Sequence, residues 1–194
     1  QIAHPKSYFI KTIKMKKLIL LILVFLTLGV SCTKNPQQIQ NQPNINPQTL
    51  PSWFNYELKD VSSGEEFTIN DYKGKTILLE SFAVWCPVST RQDQETNKLH
   101  DELSDSFVSI SIDTDPNEPG SKILEHIKRN EFNWIFSHSP AELTRLLIKE
   151  FGVEVVNAPM APMILICPNQ SYKMLEKDGI KSSSDLKQVL NTCK

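Results

Sequence analysis

Residues 76–84, TILLESFAV, form a nearly unbroken apolar run that is followed at once by Trp85, Cys86 and Pro87. A run of this kind, without the polar alternation of a half-exposed strand, reads as a strand buried on both faces at the centre of a helix-covered sheet. The preceding DYKGK supplies the turn that leads into it. Proline directly after Cys86 suits the first position of a helix, because its missing N–H costs nothing there and its fixed φ matches helix entry. Cys86 is therefore expected where a central strand hands over to a helix.

The remaining pattern builds around that strand. WFNYEL and EFTI, across a turn at SSGE, predict an N-terminal hairpin. A polar segment from the WCP turn to about Leu103 reads as a helix, and FVSISID as a strand that ends in the turn-rich TDPNEPG. SKILEHIKRN is a further helix and FNWIFSH a further strand. SPAELTRLLIKEFG shows a serine cap, a Glu three residues on and a terminal Gly, the marks of helix ends. VEVVNAPMAPMILICPNQSYKMLEKDGI predicts two strands around a tight turn, and SSDLKQVLNTC a closing helix. Strands alternating with helices and ending in a hairpin and a helix argue for an α/β sandwich around one mixed sheet.

The first quarter of the chain has a different character. Lys16 and Lys17 precede an apolar run from Leu18 to Val30, closed by a small residue and Cys32, which is the pattern of a signal peptide. About 13 apolar residues span only ~20 Å as a helix, short of the ~30 Å hydrocarbon core, so export is expected rather than a permanent membrane span. The LGVSC end resembles the lipobox of prokaryotic lipoproteins, with Gly29 standing where that pattern has leucine, and implies lipid on Cys32. Residues 33–50, rich in Asn, Gln and Pro, have too few apolar side chains to offset the cost of ordering a backbone and read as a disordered tether. The expected organisation is an upstream extension and signal peptide over 1–32, with Met15 as the start, the tether over 33–50, and one folded domain over 51–194. The 21 basic and 22 acidic residues are scattered, so no basic stripe marks a nucleic-acid surface.

A side chain at the N-cap faces unpaired N–H groups and the positive end of the helix dipole, surroundings that favour a thiolate over a thiol. Cys86 is thus the candidate nucleophile; the alternative is a small buried cysteine at a strand end. ILLESFAVWCPVST resembles the active-site segment of thioredoxin-like proteins, in particular exported thiol-disulfide reductases of the TlpA type and related redoxins. DVSSGEEFTINDYKGKTILL resembles their lead-in, and the likeness runs over roughly 51–192. It implies a thioredoxin-like sandwich with an N-terminal hairpin extension, no cofactor or metal, and protein or small-molecule thiols and disulfides as partners.

The resemblance also implies roles residue by residue. Glu80 matches a buried acid that exchanges protons near the thiol, the alternative being an outward-facing strand Glu. Pro162 matches the proline of a cis-proline loop opposite the cysteine, with Pro159 as its rival. With Trp85, Pro87 and Ala161 it would line the substrate site, its loop offering backbone groups to an extended segment. The second thiol of the family stands where this chain has Ser89, whose hydroxyl cannot resolve a mixed disulfide, though it and its N–H could point back at the Cys86 sulfur. Cys167, ~17 Å along its strand from the active-site end, is too far away to take over, since bridged Cα atoms lie within about 7 Å. Cys193 should run back toward Cys167, leaving either a Cys167–Cys193 bridge or two free thiols. A peroxidase is disfavoured because Ala83 and Leu79 stand where its hydroxyl and proline belong, and a copper chaperone because Thr90 replaces its second cysteine. His100, His126 and His138 lack metal-ligand spacing and read as surface or capping residues. A redox-inert binding module of the same fold is the remaining rival.

Overall fold

The structure, a computed structural model, describes residues 50–176 and 179–193. The signal-like run, Cys32 and nearly all of the tether fall outside them. A short hairpin pairs β1 (Leu58–Lys59) with β2 (Glu66–Phe67). The main sheet holds β3 (Ile77–Phe82), β4 (Val108–Asp113), β5 (Ile135–His138), β6 (Met163–Ile166) and β7 (Tyr172–Met174) in the order β5-β4-β3-β6-β7. β3 runs parallel to β4, and β4 to β5, whereas β6 is antiparallel to both β3 and β7. The helices are α1 (Pro87–Leu103), α2 (Gly120–Asn130), α3 (Ala141–Phe151) and α4 (Ser183–Leu190).

All six residues of β3 are buried, as the apolar run requires of a strand with neighbours on both edges and cover on both faces. Its alternate side chains divide the core. Ile77 and Leu79 join Ile110, Ile112, Ile164 and Ile166 against Trp53, Phe54, Leu143 and Leu147, the face covered by α3 and the N-terminal segment. Leu78 packs on the opposite face with Leu99 of α1 and Leu186 of α4, and Phe82 with Ile123 and Ile127 of α2. α4 starts in a capping box, in which Ser182 Oγ accepts the Asp185 N–H and the Asp185 carboxylate accepts the Ser182 N–H.

Three local expectations change. Ser52–Asn55 is a 3-10 turn rather than a strand, because Trp53 and Phe54 both enter one cluster with rings 4.2 Å apart, and successive strand residues would point to opposite faces. The N-cap of α3 is Pro140, while the expected cap Ser139 pairs its hydroxyl with Thr144 Oγ1 at 2.8 Å. Val153–Val156 and Ala158–Met160 are 3-10 turns, so the strand toward the C-terminus begins only at Met163. Gly152 turns the chain out of α3 at φ 86°, where a Cβ would stand 2.6 Å from Glu154 Oε2.

Candidate active site

β3 leads through Ala83 into a tight turn in which the Cys86 N–H donates to the Ala83 carbonyl at 2.9 Å. Cys86 is the N-cap of α1 and Pro87 follows inside the first turn; the Cys86 carbonyl accepts the Thr90 N–H at 3.2 Å. The sulfur is not held open to solvent. Cys86 is 2% exposed, packed with Ala83 and Ala158 under the half-buried Val88, and its side chain makes no capping hydrogen bond. Trp85 is 59% exposed and donates its indole N–H to Asp115 Oδ2 at 2.8 Å, and Pro87 is exposed beside it.

Ser89 does not turn toward the sulfur. It is fully buried, and its Oγ accepts the Ala83 N–H at 3.4 Å, because the third helical position faces the end of β3. The Ala161–Pro162 bond is trans, and no described peptide bond is cis. The turn expected from a cis bond is made instead by Ala161, left-handed at φ 46° and ψ 58°. That conformation directs the loop inward. The Pro162 carbonyl accepts from Ser81 N–H at 3.2 Å, the Ala161 carbonyl from Lys181 Nζ at 2.5 Å, and the Ala161 N–H donates to Ala158. These groups already have partners within the domain. Pro159 is exposed, and Ala158 is the residue of this segment that packs on Cys86.

Glu80 points inward. It is 1% exposed, in register with Ser111 and Met163, and neither carboxyl oxygen is reached by a described N–H or O–H donor. Its neighbour is the fully buried carboxyl of Asp93 on α1. Two buried carboxyls hydrogen-bond only when one carries a proton, and that proton belongs to Glu80. Burial raises its pKa well above the ordinary 4.5, the Asp93 charge adds to the rise, and the Lys181 ammonium opposes it. Asp93 is also raised by burial, with His126 pulling in the opposite direction through a 3.0 Å contact from Nε2 to Oδ2.

His126 thus departs from its expected surface or capping role: it is 3% exposed and stacked on Phe82 with rings 5.8 Å apart. His100 stacks on Phe107 and Trp134, and His138 contacts the Asp115 carbonyl, both half-buried. Lys181, 2% exposed, also donates to the carbonyls of Met160 and Gly179 at 3.3 and 2.9 Å. Gln92 ties that segment to α1 by accepting Lys181 N–H at 2.7 Å and donating to its carbonyl at 3.0 Å. Asp113, buried at the end of β4 opposite Phe82, is raised by burial to about 7. A helical reading of the polar residues, rather than the apolar ones, would have found much of this group: Ser89, Gln92, Asp93 and Thr96 form the buried stripe of α1 with only Leu99 apolar.

Cys167 and Cys193 are joined as a disulfide, with Cα atoms 5.1 Å apart. Cys167 follows Ile166, which pairs with Ile77, the far end of β3 from Cys86. Cys86 is the free cysteine of the described residues, and among them no group of three or more His, Cys, Asp or Glu side chains is arranged to hold a metal ion.

The family model described as Redoxin matches residues 41–189. No curated protein matches the chain. Among solved structures, a secreted disulfide oxidoreductase of Mycobacterium tuberculosis, homologous to Escherichia coli DsbE, is 11% identical and superposes with a TM-score of 0.59, covering 74% of this chain and 99% of its own. A thiol:disulfide interchange protein of the thioredoxin family from Chlorobium tepidum is 18% identical, TM-score 0.58, over 71% and 92% of the two chains. The exposed lipoprotein thioredoxin of Streptococcus pneumoniae is 20% identical, TM-score 0.56, over 71% and 98%. The fold shared with these proteins is thioredoxin-like.

Proposed function

The chain belongs to the Redoxin family, and on that premise we propose that it carries out thiol–disulfide exchange through Cys86 alone, as an exported domain held at a membrane by lipid on Cys32. The observation that carries this reading is the position of the one free described thiol, at the N-cap of α1 directly beyond the central strand, with Trp85 exposed beside it. The Cys86 thiolate attacks a substrate disulfide, one substrate sulfur stays on Cys86 as a mixed disulfide, and the other leaves as a thiolate. Glu80 supplies the proton that makes it a thiol. An external thiol then returns that proton to Glu80, attacks the mixed disulfide, and restores the Cys86 thiolate; one disulfide is consumed and one formed. Ser89 makes the external thiol necessary. Substrates and resolving partners are protein or small-molecule thiols and disulfides, recruited across Trp85 and Pro87.

A second reading, a redox-inert module that binds a partner, draws support from the burial of Cys86 to 2% exposure. Insulin or glutathione disulfide exchange separates the two. Cys86→Ala should abolish exchange, and the wild-type protein should accumulate long-lived mixed disulfides on Cys86; exchange that survives the substitution rules out the proposed mechanism. Metabolic labelling with a radioactive fatty acid tests the anchor, with label expected on the full chain and lost in Cys32→Ser.

A further inference from the structure

Beneath the cysteine turn, three buried titratable side chains from three elements meet: Glu80 of β3, Asp93 of α1 and His126 of α2, each at most 3% exposed. The Asn130 amide donates to the His126 carbonyl at 2.8 Å and lies 3.4 Å from the ring Nδ1, so it offers that nitrogen a hydrogen. With Nδ1 accepting, the ring hydrogen resides on Nε2 and points at Asp93 Oδ2, 3.0 Å away. Asp93 Oδ1 is reached by no described donor, and neither are the two oxygens of Glu80. A single proton on Glu80, donated to Asp93 Oδ1, meets two of these three oxygens.

We infer that Asp93 and His126 are positioning residues for the Glu80 proton: His126 fixes Asp93 as the acceptor, and Asp93 holds the Glu80 hydroxyl in place on the strand that leads to Cys86. This deepens the exchange reading and rests on it for its purpose, since the leaving thiolate and the external thiol both need a proton kept inside the domain. The proton moves from Glu80 to the departing sulfur and returns from the incoming thiol, while Asp93 stays ionised throughout. Other charged groups that face this unit are Lys181, whose ammonium opposes the charge on Glu80, and Asp113 of β4, which interacts with His126.

Asp93 lies seven residues along α1 from the Cys86 N-cap, a rise of about 10 Å at ~1.5 Å per residue.

Infrared difference spectroscopy of the full chain tests this through the carbonyl band of a protonated carboxylic acid. Asp113 is a second carboxyl partly protonated near neutral pH, so every protein compared carries Asp113→Asn; in that background the band should be present at neutral pH and absent once Glu80→Gln is added. Asp93→Asn keeps an acceptor oxygen but removes the repelling charge, so the band should titrate at least one pH unit lower. His126→Phe keeps both carboxyls but removes the donor that stabilises the ionised Asp93, so the band should titrate higher. A band that survives Glu80→Gln, or one that moves the same way or not at all in the two neighbours, overturns the inference. If Asp93→Asn does not fold, the His126→Phe shift and the Glu80→Gln loss still decide it. The band does not depend on the thiol, so it can be read in Cys86→Ala, and failure of exchange and failure of the positioning role are separate results.

Discussion

Asp113→Asn should make the domain more stable at neutral pH and flatten its dependence on pH. The Asp113 carboxyl is fully buried where β4 meets the end of β3. Oδ1 accepts the Asp115 N–H at 2.8 Å, while Oδ2 has no described donor. Burial raises its pKa from 3.8 to about 7, against a smaller lowering by the Asp115 N–H. Between those values the folded chain keeps a proton that the unfolded chain has released. Stability therefore falls as pH rises from about 4 to about 7 and is level above that. The difference of about 3 pH units corresponds to at most about 4 kcal/mol of destabilisation once the carboxylate is ionised. Asparagine cannot ionise, and its carbonyl oxygen still accepts the Asp115 N–H. Its amide N–H groups replace the unpaired oxygen and cost about 1–3 kcal/mol if they find no acceptor, which leaves an expected net gain of about 1–3 kcal/mol at pH 8. Urea unfolding of both proteins at intervals from pH 4 to pH 8 measures it. The two stability curves should diverge with rising pH, and curves that run parallel across the range refute the reasoning.

Reduction of the Cys167–Cys193 disulfide, which spans 26 residues, should cost about 3–4 kcal/mol by the loop-entropy relation. Calorimetry of Cys167→Ala/Cys193→Ala checks this, and alkylation of Cys86 at the other end of β3 should be unaffected. Ser89→Cys replaces the buried hydroxyl with a thiol at the position that resolves mixed disulfides in two-cysteine sites. Adducts on Cys86 should then clear without added thiol, as seen by mass spectrometry, while loss of the Ala83 N–H acceptor costs about 1 kcal/mol.

Much of the sheet was legible because β3 is apolar at nearly every position and because turns separate the later strands. The cysteine turn was legible for a similar reason, since Pro87 fixes the start of α1 wherever tertiary contacts place it. Trp53 and Phe54 misled because the same two aromatics suit a strand or a 3-10 turn, and only burial of both in one cluster chooses between them. The committed carbonyls of Ala161 and Pro162 could not be read at all, since their partners, Lys181 and Ser81, are set by the assembled sheet. Asp93 and His126 were missed because 33 residues separate them and each, alone on its helix, has the composition of a solvent-facing side chain.

The three tryptophans differ sharply in surroundings: Trp53 and Trp134 are 1% and 8% exposed, whereas Trp85 is 59% exposed and adjoins Cys86. An adduct on the sulfur therefore alters the environment of one indole and leaves the other two as an internal standard. The red edge of the emission spectrum, where the solvated ring dominates, becomes an optical record of whether Cys86 is occupied, readable in real time without any attached dye.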